Sequence, residues 1–168
     1  LLVCQSFAKN AGLYGERIGA LHVVSPTRQQ NAAVFSQLSV IQRSEISNPP
    51  AFGARLVTMI LRDPKLWQQW QEDVKLMSGR IIDMRKQLHK TLTQQLNTPP
   101  PKGAKDWDHI LKQIGMFTFT GLNPAQCEKM VKTHHVYMTG NGRISMAGLS
   151  SKNVEYVAKS IDDVIRTL

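Results

Sequence analysis

Ser6-Phe7-Ala8-Lys9-Asn10-Ala11-Gly12-Leu13-Tyr14-Gly15-Glu16-Arg17 is the stretch around which the rest of this sequence can be read. The apolar run Leu1-Leu2-Val3-Cys4 precedes it and reads as the end of a buried strand. Ile18-Gly19-Ala20-Leu21-His22-Val23-Val24 follows and reads as a second strand. A lysine therefore falls where a strand gives way to a glycine-loosened turn, a position that often faces a cleft. A hydroxyl lies three residues before it, at Ser6, and a guanidinium eight residues after, at Arg17. An amine, a hydroxyl and a guanidinium so spaced could hold an aldehyde cofactor and its phosphate. By spacing alone, a solvated surface lysine is the commoner outcome, with Arg17 ion-paired to Glu16 or another acid.

Two further stretches bear on the choice. One runs from Arg43 through Ser47-Asn48-Pro49-Pro50 to Gly53-Ala54-Arg55, and the other is Gly142-Arg143-Ile144-Ser145-Met146-Ala147-Gly148-Leu149. In order and approximate spacing, the three together resemble the aspartate aminotransferases, the fold-type I transaminases, and the resemblance runs from the first residue to the last. It implies an α/β fold, the C-terminal part of a fold-type I pyridoxal-phosphate-dependent transferase. This would be the end of a mostly parallel large-domain sheet (residues 1–77) plus an α+β small domain (78–168), linked by a long helix over about 65–96. It implies pyridoxal 5'-phosphate as cofactor, linked to Lys9, with Ser6 and Arg17 holding its phosphate. Arg143 would grip the α-carboxylate of a dicarboxylic amino or keto acid. Arg43 would grip the side-chain carboxylate across a homodimer interface, in the neighbouring subunit's site. On their own, Arg143 reads equally as a solvated arginine beside an Asn-Gly turn, and Arg43 as a helix C-terminal arginine favoured by the dipole.

The activity so implied is amino-group transfer between L-aspartate and 2-oxoglutarate, with Lys9 shuttling the α-proton. An aromatic or broad-specificity aminotransferase stays open, as does a non-catalytic basic interaction module on the same scaffold. The resemblance covers roughly two fifths of a typical aminotransferase chain. The remainder would supply the acid beside the pyridine nitrogen and the aromatic that stacks on the ring. An inactive or nearly inactive isolated chain is the expectation. The chain has no initiator methionine and begins inside a strand pattern, which suggests a fragment.

Bulk composition agrees with a folded domain. The 168 residues are 42% hydrophobic and 20% charged, the balance of a globular protein rather than a disordered one. No apolar run approaches a membrane span. The net charge of +9 is spread, with 6 Lys+Arg against 3 Asp+Glu in residues 1–63 and 15 against 9 in 64–168. Without a long basic run or aromatic interleaving, nucleic acid is not the expected partner; anionic small molecules are. Cys4 and Cys127 form neither a disulfide framework nor a zinc signature and read as core fillers in a reducing compartment, with the cytoplasm expected and an organelle as alternative. His134-His135 lack the carboxylate or cysteine that would complete a metal site and read as structural or surface residues.

Local signals predict the elements. Ser25-Pro26 opens a helix, with Ala32 to Ile41 at packed-helix spacings. Ser44 to Pro50 breaks it, and a second helix over about 50–61 would bury Phe52, Leu56, Val57 and Ile60. Asp63-Pro64 caps the longest helix, whose stripe is Trp67, Trp70, Val74, Met77, Ile81, Met84 and Leu88, with a bend at Ser78-Gly79. Residues 98–103 read as an exposed loop. A short helix over 106–114, a strand over 116–120 and a helix from Asn123-Pro124 follow. Asn141-Gly142 signals a hairpin between strands 136–139 and 143–146. A helix from about Lys152 closes the chain, with Val154, Val157, Ile161, Val164 and Ile165 inside.

Overall fold

A computed structural model describes all residues, 1–168. Strands β1 (Leu2–Ser6) and β2 (Gly19–Val23) are followed by helices α1 (Arg28–Glu45), α2 (Phe52–Arg62) and α3 (Pro64–Lys90). Then come α4 (His109–Lys112), β3 (Phe117–Phe119), α5 (Pro124–Lys132), β4 (Arg143–Ser145) and α6 (Val154–Thr167). The chain divides into two compact units, Leu1–Val74 and Lys75–Leu168.

In the first unit, β1 and β2 pair antiparallel, in register from Leu2 with Val23 to Ser6 with Gly19. The mostly parallel sheet is thus not represented in these strands. The connection over residues 7–18 holds no helix to carry a crossover and folds back on itself, so the two strands return antiparallel. The buried strand expected over Leu1–Cys4 is also exposed throughout. Cys4 is accordingly an exposed thiol and not a core filler. An open cleft of about 650 Å3 is lined by Leu21, His22 and Val23 of β2 and by Val34, Phe35 and Leu38 of α1.

Helix α1 starts two residues later than the Ser25-Pro26 signal. Thr27 is its cap: extended (φ −132°), it accepts the Gln30 N–H on its hydroxyl at 3.2 Å. The Thr27 hydroxyl also donates to Gln30 Oε1 at 3.2 Å, which holds the capping side chain in place. No residue of α1 is buried, against the packing its spacings suggest. The helix stops at Ser47, whose φ of +63° cannot continue it. In α2, Gly53 and Val57 are buried, but Phe52 is exposed, contrary to its place in the apolar pattern. Asp63 takes the N–H groups of Lys65 and Leu66 on one carboxylate oxygen, at 2.8 and 3.1 Å, and so caps α3.

α3 is assigned as one α-helix through Ser78-Gly79; a glycine inside a long helix costs only about 1 kcal/mol relative to alanine. Its stripe is buried only towards the C-terminal end, at Met84 and Leu88, while Trp67 and Met77 are exposed. The last predicted turn, Thr91–Gln95, widens to a π-helical turn rather than extending the α-helix.

The second unit has a closed core in which Leu88, Leu92, Ile110, Met146, Ile161 and Val164 are fully buried. Each such side chain contributes about 1.5–3 kcal/mol on burial. α6 supplies Val154, Val157, Ala158, Ile161 and Val164 at three- and four-residue steps, the pattern of a helix laid on a core. Asn123 and Gln126 form a capping box at the start of α5, with Pro124 in the first turn. The 98–103 segment is not simply an exposed loop. Thr98 is buried, donating its hydroxyl to Asp162 at 2.8 Å and accepting the Trp107 indole N–H on its carbonyl at 3.0 Å. Pro101 is buried as well.

The expected hairpin does not form. β4 pairs antiparallel with β3, from Phe117 with Ser145 to Phe119 with Arg143. Asn141-Gly142 makes only a tight turn, in which the Gly142 N–H donates to Thr139 O at 3.0 Å. Gly142 has φ +83°, and its carbonyl accepts the Thr120 N–H at 2.8 Å, which extends the β3–β4 pairing on one edge; on the other edge a single backbone bond, Thr139 N to Arg143 O at 3.3 Å, is made and no strand forms over 136–139.

Arg85, 4% exposed, ties this region together. Its Nη1 donates to Ile110 O (2.8 Å) and Thr118 Oγ1, and its Nη2 to Gly115 O (2.9 Å) and Phe117 O (2.8 Å). Burial pushes its guanidinium below the ordinary arginine value. Arg85→Ala would strand these four acceptors. It is expected to cost about 3 kcal/mol of unfolding free energy by denaturant titration, against less than about 0.5 kcal/mol for an exposed control such as Lys86→Ala.

Asp163 joins α6 to α5. Its carboxylate lies 2.8 Å from Lys129 Nζ and 2.8 Å from His134 Nε2. The Lys129 hydrogen bond, then that of His134, holds its pKa below the ordinary aspartate value. A depressed folded-state pKa stabilises fully above the unfolded value of about 3.9 and is lost as pH falls through the folded one. Thermal unfolding should therefore be insensitive to this group at neutral pH and weaken below about pH 4. Asp163→Asn is expected to flatten that acid limb.

Candidate functional site

The turn between β1 and β2 carries the lysine. Phe7 N donates to Ile18 O (3.1 Å), closing the ladder, and the chain then coils through Ala11 N to Phe7 O (3.3 Å) and Gly12 N to Lys9 O (3.2 Å). Gly12, at φ +66°, makes the reversal that a side chain there would strain. Ser6 Oγ accepts the Ala8 N–H at 3.2 Å, and Ala8 is buried, so the residue before the lysine is fixed.

Ser6, Lys9 and Arg17 line one cleft of about 260 Å3, together with Cys4, Ala8 and Gly19. Lys9 has no carboxylate partner, and its Nζ lies 4.3 Å from the centre of the Tyr14 ring. Arg17 does not pair with Glu16. It donates one bond, from Nη1 to Tyr14 O at 3.2 Å, and is the turn's one non-glycine residue in the left-handed region, at φ +52°. That backbone costs an arginine about 1 kcal/mol or more, and such outliers concentrate where a side chain must be aimed. Asn10 Oδ1, beside the lysine, is buried with no partner. An amine, a hydroxyl, a largely uncommitted guanidinium and an orphaned polar atom suit a small anionic aldehyde bearing a phosphate, so these residues fit pyridoxal phosphate.

The remaining two arginines lie elsewhere. Arg43 sits in the last turn of α1, exposed, and is not among the residues lining the lysine cleft. Ser47-Asn48-Pro49-Pro50 follows it as an exposed segment. Arg143, in the second unit, begins β4 and is exposed, its guanidinium 4.8 Å from the centre of the Phe117 ring. That aromatic face leaves the edge of the guanidinium open to an anion. His134 is held by Asp163, and His135 is exposed at φ +53°.

Three contacts were not predicted: Tyr14 under Lys9, Phe117 under Arg143, and the Trp70 indole N–H, which donates to Asn10 O at 2.8 Å. The last had one signal in the sequence, since a half-buried indole needs an acceptor.

This combination of elements is that of the fold-type I aminotransferases. The solved cytoplasmic aspartate aminotransferase of Saccharomyces cerevisiae superposes with a TM-score of 0.84 at 50% identity, covering 98% of this chain and 40% of that one. The cytoplasmic enzyme of Giardia lamblia superposes with a TM-score of 0.88 at 42% identity, over 99% of this chain and 41% of that one. The family model for aminotransferase class I and II matches residues 1–161, and the chain belongs to that family. Its members use pyridoxal phosphate. The cytoplasmic aspartate aminotransferase of Schizosaccharomyces pombe is 52% identical over 166 residues, 99% of this chain and 39% of the relative. The mitochondrial one of Dictyostelium discoideum is 50% identical over 166 residues, 99% of this chain and 38% of the relative. The chain thus spans about two fifths of the length of these relatives. No helix is long and apolar enough to cross a membrane.

Proposed function

We propose that the protein to which this chain belongs transfers the amino group between L-aspartate and 2-oxoglutarate, giving oxaloacetate and L-glutamate. The observation that carries the reading is the shared cleft of Ser6, Lys9 and Arg17, free of carboxylates, in a chain of this family. Pyridoxal phosphate, when bound, supplies the aldehyde that takes up the amino group and the ring that accepts the electrons released at the α-carbon. Arg17 and Ser6 hold the phosphate, by paired N–H donors and a hydroxyl. Lys9 Nζ would be the amine that holds the cofactor's aldehyde carbon, and as a free amine it would move the α-proton of the substrate.

Arg143 holds the α-carboxylate of the substrate. Arg43 holds the side-chain carboxylate in the neighbouring subunit's site of a homodimer; its exposed position in the last turn of α1 leaves its guanidinium free for that role. The unit Leu1–Val74 represents the end of the cofactor-binding large domain and Lys75–Leu168 the small domain, close to a boundary at residues 77 and 78. The exposed Phe35, Val40, Ile41, Ile46, Phe52 and Met59 support a larger assembly that covers them. A cytoplasmic location follows the two yeast relatives, both named cytoplasmic, and cell fractionation tests it.

The deciding experiment is an absorbance titration with pyridoxal phosphate, then borohydride reduction and peptide mapping, on the whole protein and on this chain separately. A reduced adduct on Lys9 in the whole protein, with an absorbance that changes on adding aspartate, is expected. A whole protein without that adduct would leave a transaminase scaffold lacking its chemistry. The isolated chain is expected to turn over no aspartate, because it lacks the partner of the pyridine nitrogen and the ring-stacking aromatic.

A second reading has a specific observation behind it. A Psychrobacter aromatic amino acid aminotransferase superposes with a TM-score of 0.87, as well as the aspartate enzymes do. Parallel assays on aspartate and phenylalanine separate the two.

A further inference from the structure

We propose that Trp70 is a positioning residue for Lys9, a reading that rests on Lys9 being the cofactor-linked amine. Apart from the bond between Trp70 Nε1 and Asn10 O, the hydrogen bonds of the turn run among residues 6–18. They link Phe7 to Ile18, Ala8 to Ser6, Ala11 to Phe7, Gly12 to Lys9, Glu16 to Leu13 and Arg17 to Tyr14. A turn bonded only to itself moves as a body on its two strands, of which β1 is exposed throughout and β2 at Gly19, Leu21 and His22. Trp70 supplies the one hydrogen bond from outside. Its indole N–H reaches, at 2.8 Å and across 60 residues of sequence, the peptide carbonyl of the residue after the lysine. Trp67, one helical turn earlier, stacks on that indole with ring centres 5.0 Å apart, so the donor is itself braced.

At the other end of the turn, Gly53 lets α2 close against the Arg17 side. A Cβ at Gly53 would come within 2.8 Å of Glu16 Cβ and 3.3 Å of Ile18 Cβ. α3 thus pins the lysine end and α2 the arginine end. The lysine end matters more, because an amine that must reach one carbon atom loses rate steeply with a displacement of about 1 Å.

The test uses the whole protein with its cofactor. Trp70→Phe keeps a ring and removes the donor; Trp67→Phe keeps both the donor and a stacking ring. Trp70→Phe is expected to lower kcat about tenfold with KM within about twofold, and to shift the pH midpoint of the cofactor–lysine absorbance. Trp67→Phe should leave both near their original values, and Trp70→His, which keeps a ring N–H, should recover part of the loss. Trp70→Phe indistinguishable from the unaltered protein in kcat and in that midpoint overturns the proposal.

A second measurement needs no change at position 70. With tryptophan indoles labelled with 15N, fixing Lys9 by borohydride reduction is expected to move the Trp70 resonance more than that of Trp67, and an unmoved Trp70 resonance overturns the proposal. If the unaltered protein forms no adduct at Lys9, the assignment of the lysine has failed, a result separate from either outcome at Trp70.

Discussion

Lys9→Ala in the whole protein is expected to lower the turnover of aspartate by about four orders of magnitude or more. Two functions are lost at once: the nucleophile that carries the covalent link and the base that moves the α-proton, the second alone contributing about 10²–10⁴-fold. No neighbour replaces it. The cleft around it offers Ser6, a thiol at Cys4 and a guanidinium at Arg17, none of which is an amine. Cofactor should still enter, because Arg17 and Ser6 remain, but borohydride should no longer fix it to the 6–17 peptide. The check is a coupled assay for oxaloacetate beside peptide mapping. Residual turnover within a hundredfold of the original would remove Lys9 from its assigned role.

Arg143→Leu carries the second large effect. A guanidinium on a carboxylate makes two parallel charge-assisted bonds, and hydrogen bonds to charged groups contribute about 1.5–3 kcal/mol each. The loss should be roughly 10²–10⁴-fold in kcat/KM for aspartate, seen chiefly as a raised KM with cofactor absorbance unchanged. Arg143→Lys should recover little of it, since an ammonium cannot present the planar fork or lie flat on Phe117 in the same way. An equal loss for aspartate and for an amine lacking a carboxylate would show that position 143 acts through the fold instead.

What could be read from the sequence was local. The amine, hydroxyl and guanidinium of the first turn lie within 12 residues, and a strand-turn-strand pattern suffices to bring them to one cleft. The Asn123-Pro124 start of α5 and the inner face of α6 follow from capping chemistry and a 3.6-residue period, both properties of a short window. The misread segments were decided by distant residues. Asn141-Gly142 carries a hairpin signal and does make a turn, but the strand that pairs with Arg143–Ser145 is Phe117–Phe119, more than 20 residues earlier. Burial in the first unit misled for a different reason. An apolar stripe says which face avoids water, not what covers it, so Leu1–Cys4 and Phe52 read as buried although they are open. Trp70 was legible as part of a stripe; its acceptor, 60 residues away, was not.

The long spans that close the second unit also bear on the order in which it can be made. Arg80 reaches the carbonyl of Leu149, Thr98 reaches Asp162, and Arg166 reaches the carbonyls of Leu96 and Asn97, links spanning 64 to 70 residues of sequence. Contacts so far apart form only after both partners have left the ribosome, and such non-local closure is slow. Until α6 has left the exit tunnel, Leu88, Leu92 and Ile110 have no lid, and the nascent segment is a substrate for a holding chaperone. The brief interval between completing α6 and docking it is when this polypeptide is most open to misassembly.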